Sequence, residues 1–143
     1  MYTPEELAFQ KRYAFAQLLR NGITTAAPIA SLFYRTWGET AAEFTAAADA
    51  AGEMGLRVYL SPAYRAGGMV LDAPGRMVPV FDEARGMAGL DEAIAFITAQ
   101  TGRHNGLVTG MLAPDRVETC TAPLLRRTMD AARDLDCRVR LHM

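Results

Sequence analysis

The chain has 143 residues, half of them hydrophobic and 22% charged, which suits one folded domain over residues 1–143 and is far from the low-hydrophobicity signature of disorder. Its 15 basic and 16 acidic residues leave a net charge of -1, and no like-charge block or basic amphipathic helix occurs. Neither nucleic acid nor a membrane surface is therefore expected as a partner.

The first helix is announced by Thr3, Pro4 and Glu6, a capping box with proline in the first turn. Leu7, Ala14, Phe15, Leu18 and Leu19 recur at helical spacing, and Asn21-Gly22 ends the run. Ile23 to Ile29 opens with β-branched residues and carries no charge, so a buried strand is expected there. Ser31 to Gly38 reads as an aromatic-rich loop. Thr40 and Glu43 form a second capping box, Phe44, Ala47, Ala48, Ala51 and Met54 give an apolar face, and Gly55 stops that helix. Leu56 to Leu60 is a short strand with its exit at Ser61-Pro62.

Ala66 to Gly89 is rich in glycine and proline with scattered charges. Either a lid-like binding loop or a plain surface excursion fits it. The third helix is expected over Leu90 to Thr101, the third strand over Leu107 to Leu112. Thr121 caps a fourth helix whose stripe is Leu124, Leu125, Met129, Ala132 and Leu135. Arg138 to His142 reads as the fourth strand. Strands separated by helices imply parallel pairing, hence an α/β fold. A helix before the first strand and a strand after the last helix are what an excised barrel segment must have. A doubly wound domain could share that order.

Cys120 and Cys137 make neither a disulfide framework nor a CxxC site, and are expected to be reduced, partly buried thiols. The first twenty residues include Glu5, Glu6, Lys11 and Arg12, so no signal peptide is expected. Together these favour a cytoplasmic location.

Catalytic groups in parallel sheets gather at the C-terminal ends of strands. That rule selects Ser31 and Tyr34, then Ser61, Tyr64 and Arg65, then Asp115, Arg116, Glu118 and Thr119, and finally His142. His104 lies at the opposite end and is expected to be a solvated turn residue. Arg65 is a substrate-binding candidate because its guanidinium offers planar paired donors. His142 is a metal-ligand candidate because neutral imidazole is the commonest protein metal ligand. No phosphate loop, dinucleotide fingerprint, GxSxG elbow, HxH or HExxH motif occurs. A hydrolytic zinc site usually needs three protein ligands, and this chain offers one obvious donor.

Four stretches resemble the metal-dependent amidohydrolase superfamily, in its branch of cytosine-, guanine- and adenosine-type deaminases and triazine hydrolases. They are Phe15 to Thr25 (FAQLLRNGITT), Ala50 to Pro62 (AAGEMGLRVYLSP), Leu112 to Leu125 (LAPDRVETCTAPLL) and Ala131 to His142 (AARDLDCRVRLH). The resemblance implies about half of a (β/α)8 TIM barrel, helix one through strand five, truncated at both ends. It implies that His142 is a ligand to a divalent metal, zinc or iron, in the complete enzyme. It places Arg65 in a region used for substrate contacts. The implied reaction is hydrolytic deamination or cleavage of an amide or ring C–N bond in a small molecule, with the isolated piece inactive and poorly soluble. Many deaminases of this branch carry a histidine where Leu112 stands, and the motif here is longer by Asp115 to Glu118, a departure from a purine-type substrate. Two other readings compete: a doubly wound binding or assembly module, and a pseudoenzyme that forms a homo-oligomer through its open edges.

Overall fold

The computed structural model describes residues 3–29 and 40–142. Helix α1 (Pro4–Arg20) begins at the Thr3–Glu6 capping box and ends at Asn21. Helix α2 (Ala41–Met54) begins at the Thr40–Glu43 box and ends at Gly55, whose φ of 79° suits glycine. Both starts satisfy orphan backbone N–H groups locally, which is why a few residues suffice to place them. Helix α3 (Glu83–Gln100) is capped by Asp82, which accepts from the Arg85 N–H. Helix α4 (Ala122–Asp134) is capped by Thr121. Among the described residues no helix is long and apolar enough to cross a membrane.

Strands β1 (Thr25–Ala26), β2 (Arg57–Leu60), β3 (Ala63–Tyr64), β6 (Val108–Pro114) and β7 (Arg138–Val139) make one parallel sheet. Ser61-Pro62 interrupts the second strand without ending it. β3 resumes beside β6 in the register of β2, with Val58 opposite Val108 and Ala63 opposite Ala113. The spatial order is therefore β1, then β2 with β3, then β6, then β7, following the chain. Each helix packs on the next: α1 on α2, α2 on α3, α3 on α4. A doubly wound sheet reverses its strand order and carries helices on both faces. Chain-ordered parallel strands beneath a single run of helices are the arrangement of a barrel segment.

The core lies between helices and sheet. Val58, Leu60, Val108 and Leu112 face Phe44, Ala48, Ala51, Leu90, Ala93, Ile97 and Leu124, all buried. Phe44 and Phe96 meet edge to face with centroids 6.2 Å apart. Ion pairs Arg12–Glu53 and Arg127–Asp91 clip α1 to α2 and α3 to α4 at the surface.

Four sequence-based expectations change. The opening strand is two residues long rather than seven, and Ile23 and Ile29 are exposed, because β1 is an edge paired only with β2 among the described residues. The segment after Ala66 is neither a lid-like loop nor a plain excursion. It is an antiparallel hairpin, β4 (Gly67–Ala73) with β5 (Arg76–Phe81), turning at Pro74-Gly75. Helix α3 starts at Glu83, seven residues before the expected Leu90. On α4 the buried positions include Thr128, while Met129 is exposed. The loop expected over Ser31 to Gly38 lies outside the described residues.

Candidate functional site

The C-terminal ends of the parallel strands open on a cleft of about 600 Å³, within the size range of small-molecule sites. β3 contributes Ala63 and then Arg65, β6 contributes Ala113 and Pro114 and then Asp115 and Arg116, and Leu141 and His142 follow β7. Ile29 stands on the β1 side, and the hairpin closes one wall with Gly68, Met69 and Met77.

A polar cluster is built at the exit of β6. The Thr119 hydroxyl donates to Asp115 Oδ2 at 3.0 Å, and Arg65 Nη1 lies 3.9 Å from that oxygen. The Arg116 N–H donates to Thr119 Oγ1, closing the turn on itself. Backbone bonds fix its surroundings: Asp115 N–H donates to Tyr64 O, Ala66 N–H to Thr119 O, and His142 N–H to Asp115 O. Arg116 pairs with Glu118 at 3.5 Å. Arg140 sends Nη1 to the carbonyls of Pro28 (3.1 Å) and Ala27 (3.4 Å), across to the far edge of the sheet. Burial alone pushes its guanidinium below the usual value; an arginine stays charged all the same.

His142 is exposed at the cleft. Among the described residues no three His, Cys, Asp or Glu side chains converge as a metal site. The carboxylates lining the cleft with His142 are already engaged, Asp115 by Thr119 and Arg65, Glu118 by Arg116. One imidazole and two engaged carboxylates do not fit a resident divalent metal on this chain alone.

Comparison with solved structures gives a consistent answer. Atrazine chlorohydrolase from Arthrobacter aurescens TC1 with zinc is 21% identical with a TM-score of 0.69, covering 99% of this chain and 30% of that one. A variant of the same enzyme with zinc and atraton is 22% identical with a TM-score of 0.66 and the same coverage. The fold is that of a triazine-hydrolase segment. This chain spans 30% of the length of those triazine hydrolases, which belong to the amidohydrolase superfamily. No protein-family model matches the sequence, and no curated protein matches it.

In this structure Arg65, Asp115, Arg116, Glu118, Thr119 and His142 all reach the cleft, as their positions past strand ends imply. Ser61 and Tyr64 do not. Ser61 is buried with its hydroxyl on the Pro62 carbonyl. Because the strand runs through Tyr64, the pleat turns Tyr64 into the helix layer while Arg65 faces the cleft. There the Tyr64 hydroxyl meets Thr128 Oγ1 at 2.9 Å, and burial pushes the phenol well above its usual range. Burial likewise raises both thiols; Cys120 is buried, Cys137 half-buried, and neither is in a disulfide. His104 lies in a turn, as expected, but is half-buried rather than solvated. It sits in the left-handed turn before β6 (φ 52°), with Nε2 3.3 Å from Asp49 on α2 and its ring packed over Gly52, away from the cleft. Ser31 and Tyr34 lie outside the described residues. The site residues the sequence did not mark are Arg140, hidden within a strand-like run, and the hairpin methionines.

Proposed function

We propose that this chain supplies helix one through strand five of a metal-dependent hydrolase barrel that carries out hydrolytic deamination or cleaves an amide or ring C–N bond in a small molecule. The observation that carries this reading is the meeting of His142, Arg65 and Asp115 on one cleft, at the C-terminal ends of strands laid in barrel order. The zinc in atrazine chlorohydrolase supports a divalent metal in the complete enzyme, and its atraton complex supports a small heterocyclic substrate. His142 is one donor to that metal, and the remaining donors come from beyond this chain. Arg65, steadied by Asp115, presents guanidinium N–H groups to a substrate oxygen or ring nitrogen.

Calorimetric zinc titration tests the first half. The 143-residue chain is expected to show no tight stoichiometric binding; a tight one-to-one complex lost in His142→Ala overturns the single-donor reading. Joined to the remaining barrel strands, the chain is expected to carry zinc and hydrolyse amides or nitrogen heterocycles. His142→Ala should then lose both, and a variant that retains both refutes the assignment.

A further inference from the structure

The cleft has two chemically distinct walls. One is the hairpin face that carries Met69 and Met77. Met69 stands opposite Pro79 and Met77 opposite Leu71, so these four share one face of the pleat. Both methionines line the cleft while remaining about half exposed (47% and 55%), an uncovered apolar surface at its mouth. The wall is firmly rooted. Asp82 N–H donates to Ala66 O and Ala66 N–H to Thr119 O, which ties the hairpin base to the turn holding Asp115. A Cβ on Gly67 would overlap the Val80 carbonyl, so the two strands meet without slack.

The other wall is charged, and its charges do not cancel. Among the described residues, three arginines and two carboxylates line the cleft. Arg65 is matched by Asp115 and Arg116 by Glu118. Arg140 has no carboxylate partner among the described residues. Its Nη1 is spent on two backbone carbonyls, and no described group takes its Nε–Nη2 edge. That edge has the paired, coplanar donors that suit the two oxygens of a carboxylate. Methionine side chains adapt to irregular apolar shapes without demanding one.

We propose that the cleft takes a small carboxylate bearing an apolar arm, with Arg140 holding the carboxylate and Met69 and Met77 receiving the arm. This deepens the hydrolase reading by naming its substrate class, but its test needs neither metal nor turnover. The probes are 4-phenylbutyrate, its neutral amide 4-phenylbutyramide, and acetate, titrated calorimetrically into the full chain. The acid is expected to bind about tenfold more tightly than the amide, the size of one charge-assisted contact. Acetate, which lacks the arm, should bind more weakly than the acid. Arg140→Gln should remove the preference for acid over amide, and Arg140→Lys should keep part of it. Met69→Ala with Met77→Ala should weaken both arm-bearing probes and leave acetate alone. Circular dichroism checks that each variant folds. Equal binding of acid and amide, an undiminished preference in Arg140→Gln, or no saturable binding at millimolar concentration overturns the proposal. Each can happen with the zinc result intact, and the zinc result can fail with this one intact.

Discussion

Replacing Thr128 with valine should cost more stability than replacing its partner Tyr64 with phenylalanine, although the two lose the same hydrogen bond. The Thr128 hydroxyl has one proton, and it donates to Leu124 O at 2.9 Å. The bond between Thr128 Oγ1 and the Tyr64 hydroxyl, also 2.9 Å, must then be donated by tyrosine. Both residues are almost wholly buried. Tyr64→Phe removes the donor and leaves Thr128 bonded to the helix, a loss of about 1 kcal/mol. Thr128→Val preserves shape but also loses the bond to Leu124 O and strands the phenol proton in the core, a loss of about 2 kcal/mol. The double variant leaves no orphan, so its cost should fall below the sum by on the order of 1 kcal/mol. Urea unfolding midpoints at neutral pH, with an unchanged m-value, measure all three. Additivity within about 0.5 kcal/mol, or Tyr64→Phe as the costlier change, refutes the donor assignment.

Three further outcomes follow from geometry and burial. In the unfolded chain Tyr64 ionises near ~10, and in the folded one higher. The unfolded state therefore holds fewer protons above that pH, and stability falls as pH rises from there toward the folded value, by up to about 1.4 kcal/mol per pH unit. Cys120 and Cys137, also raised by burial, start the decline from about pH 8.5. Tyr64→Phe should flatten the upper part of that curve, and an unchanged slope contradicts the burial argument. Gly67→Ala should destabilise by about 1–3 kcal/mol, read as a lower thermal midpoint, because its methyl meets the Val80 carbonyl, whereas Gly68→Ala, with open space, should stay within about 0.5 kcal/mol; equal effects count against the hairpin register. Gly52→Ala should destabilise the parent because the His104 ring occupies that space, yet stabilise a His104→Gly background by up to about 1 kcal/mol through helix propensity; the same sign in both backgrounds contradicts the packing.

Local chemistry was legible and distant packing was not. The Thr3–Glu6 and Thr40–Glu43 boxes and the Thr121 cap depend on residues three apart, and each lies where the sequence places it. The start of α3 was hidden although Asp82 caps it, because Gly86 and Gly89 look like loop. They are glycines for a tertiary reason: a Cβ at Gly86 would lie 2.9 Å from Ala66, and one at Gly89 2.8 Å from Tyr64. The hairpin has no sequence signature because both its faces are apolar, with Val70 and Leu71 adjacent and Met77 and Val78 adjacent, so no alternation marks it. In the cleft, the rule about strand ends found Arg65, Asp115 and His142 without any fold in hand. It could not find Met69 or Met77, which arrive only when the hairpin folds over those ends. It misjudged Tyr64 because the strand runs on past Ser61-Pro62.

The chain-ordered sheet also bears on how the protein is made. β2 pairs with β1, β6 with β2 and β3, β7 with β6, and each helix leans on the one before it. Each of β2, β6 and β7 thus finds its partner already synthesised, but only across a long crossover: the paired residues of β2 and β6 are 50 apart in sequence. Pairing at that separation raises contact order, so assembly can advance as the ribosome delivers the chain but waits at each step for a crossover helix. The hairpin is the local exception, since β4 and β5 are joined by a turn of two residues and need nothing further along to pair.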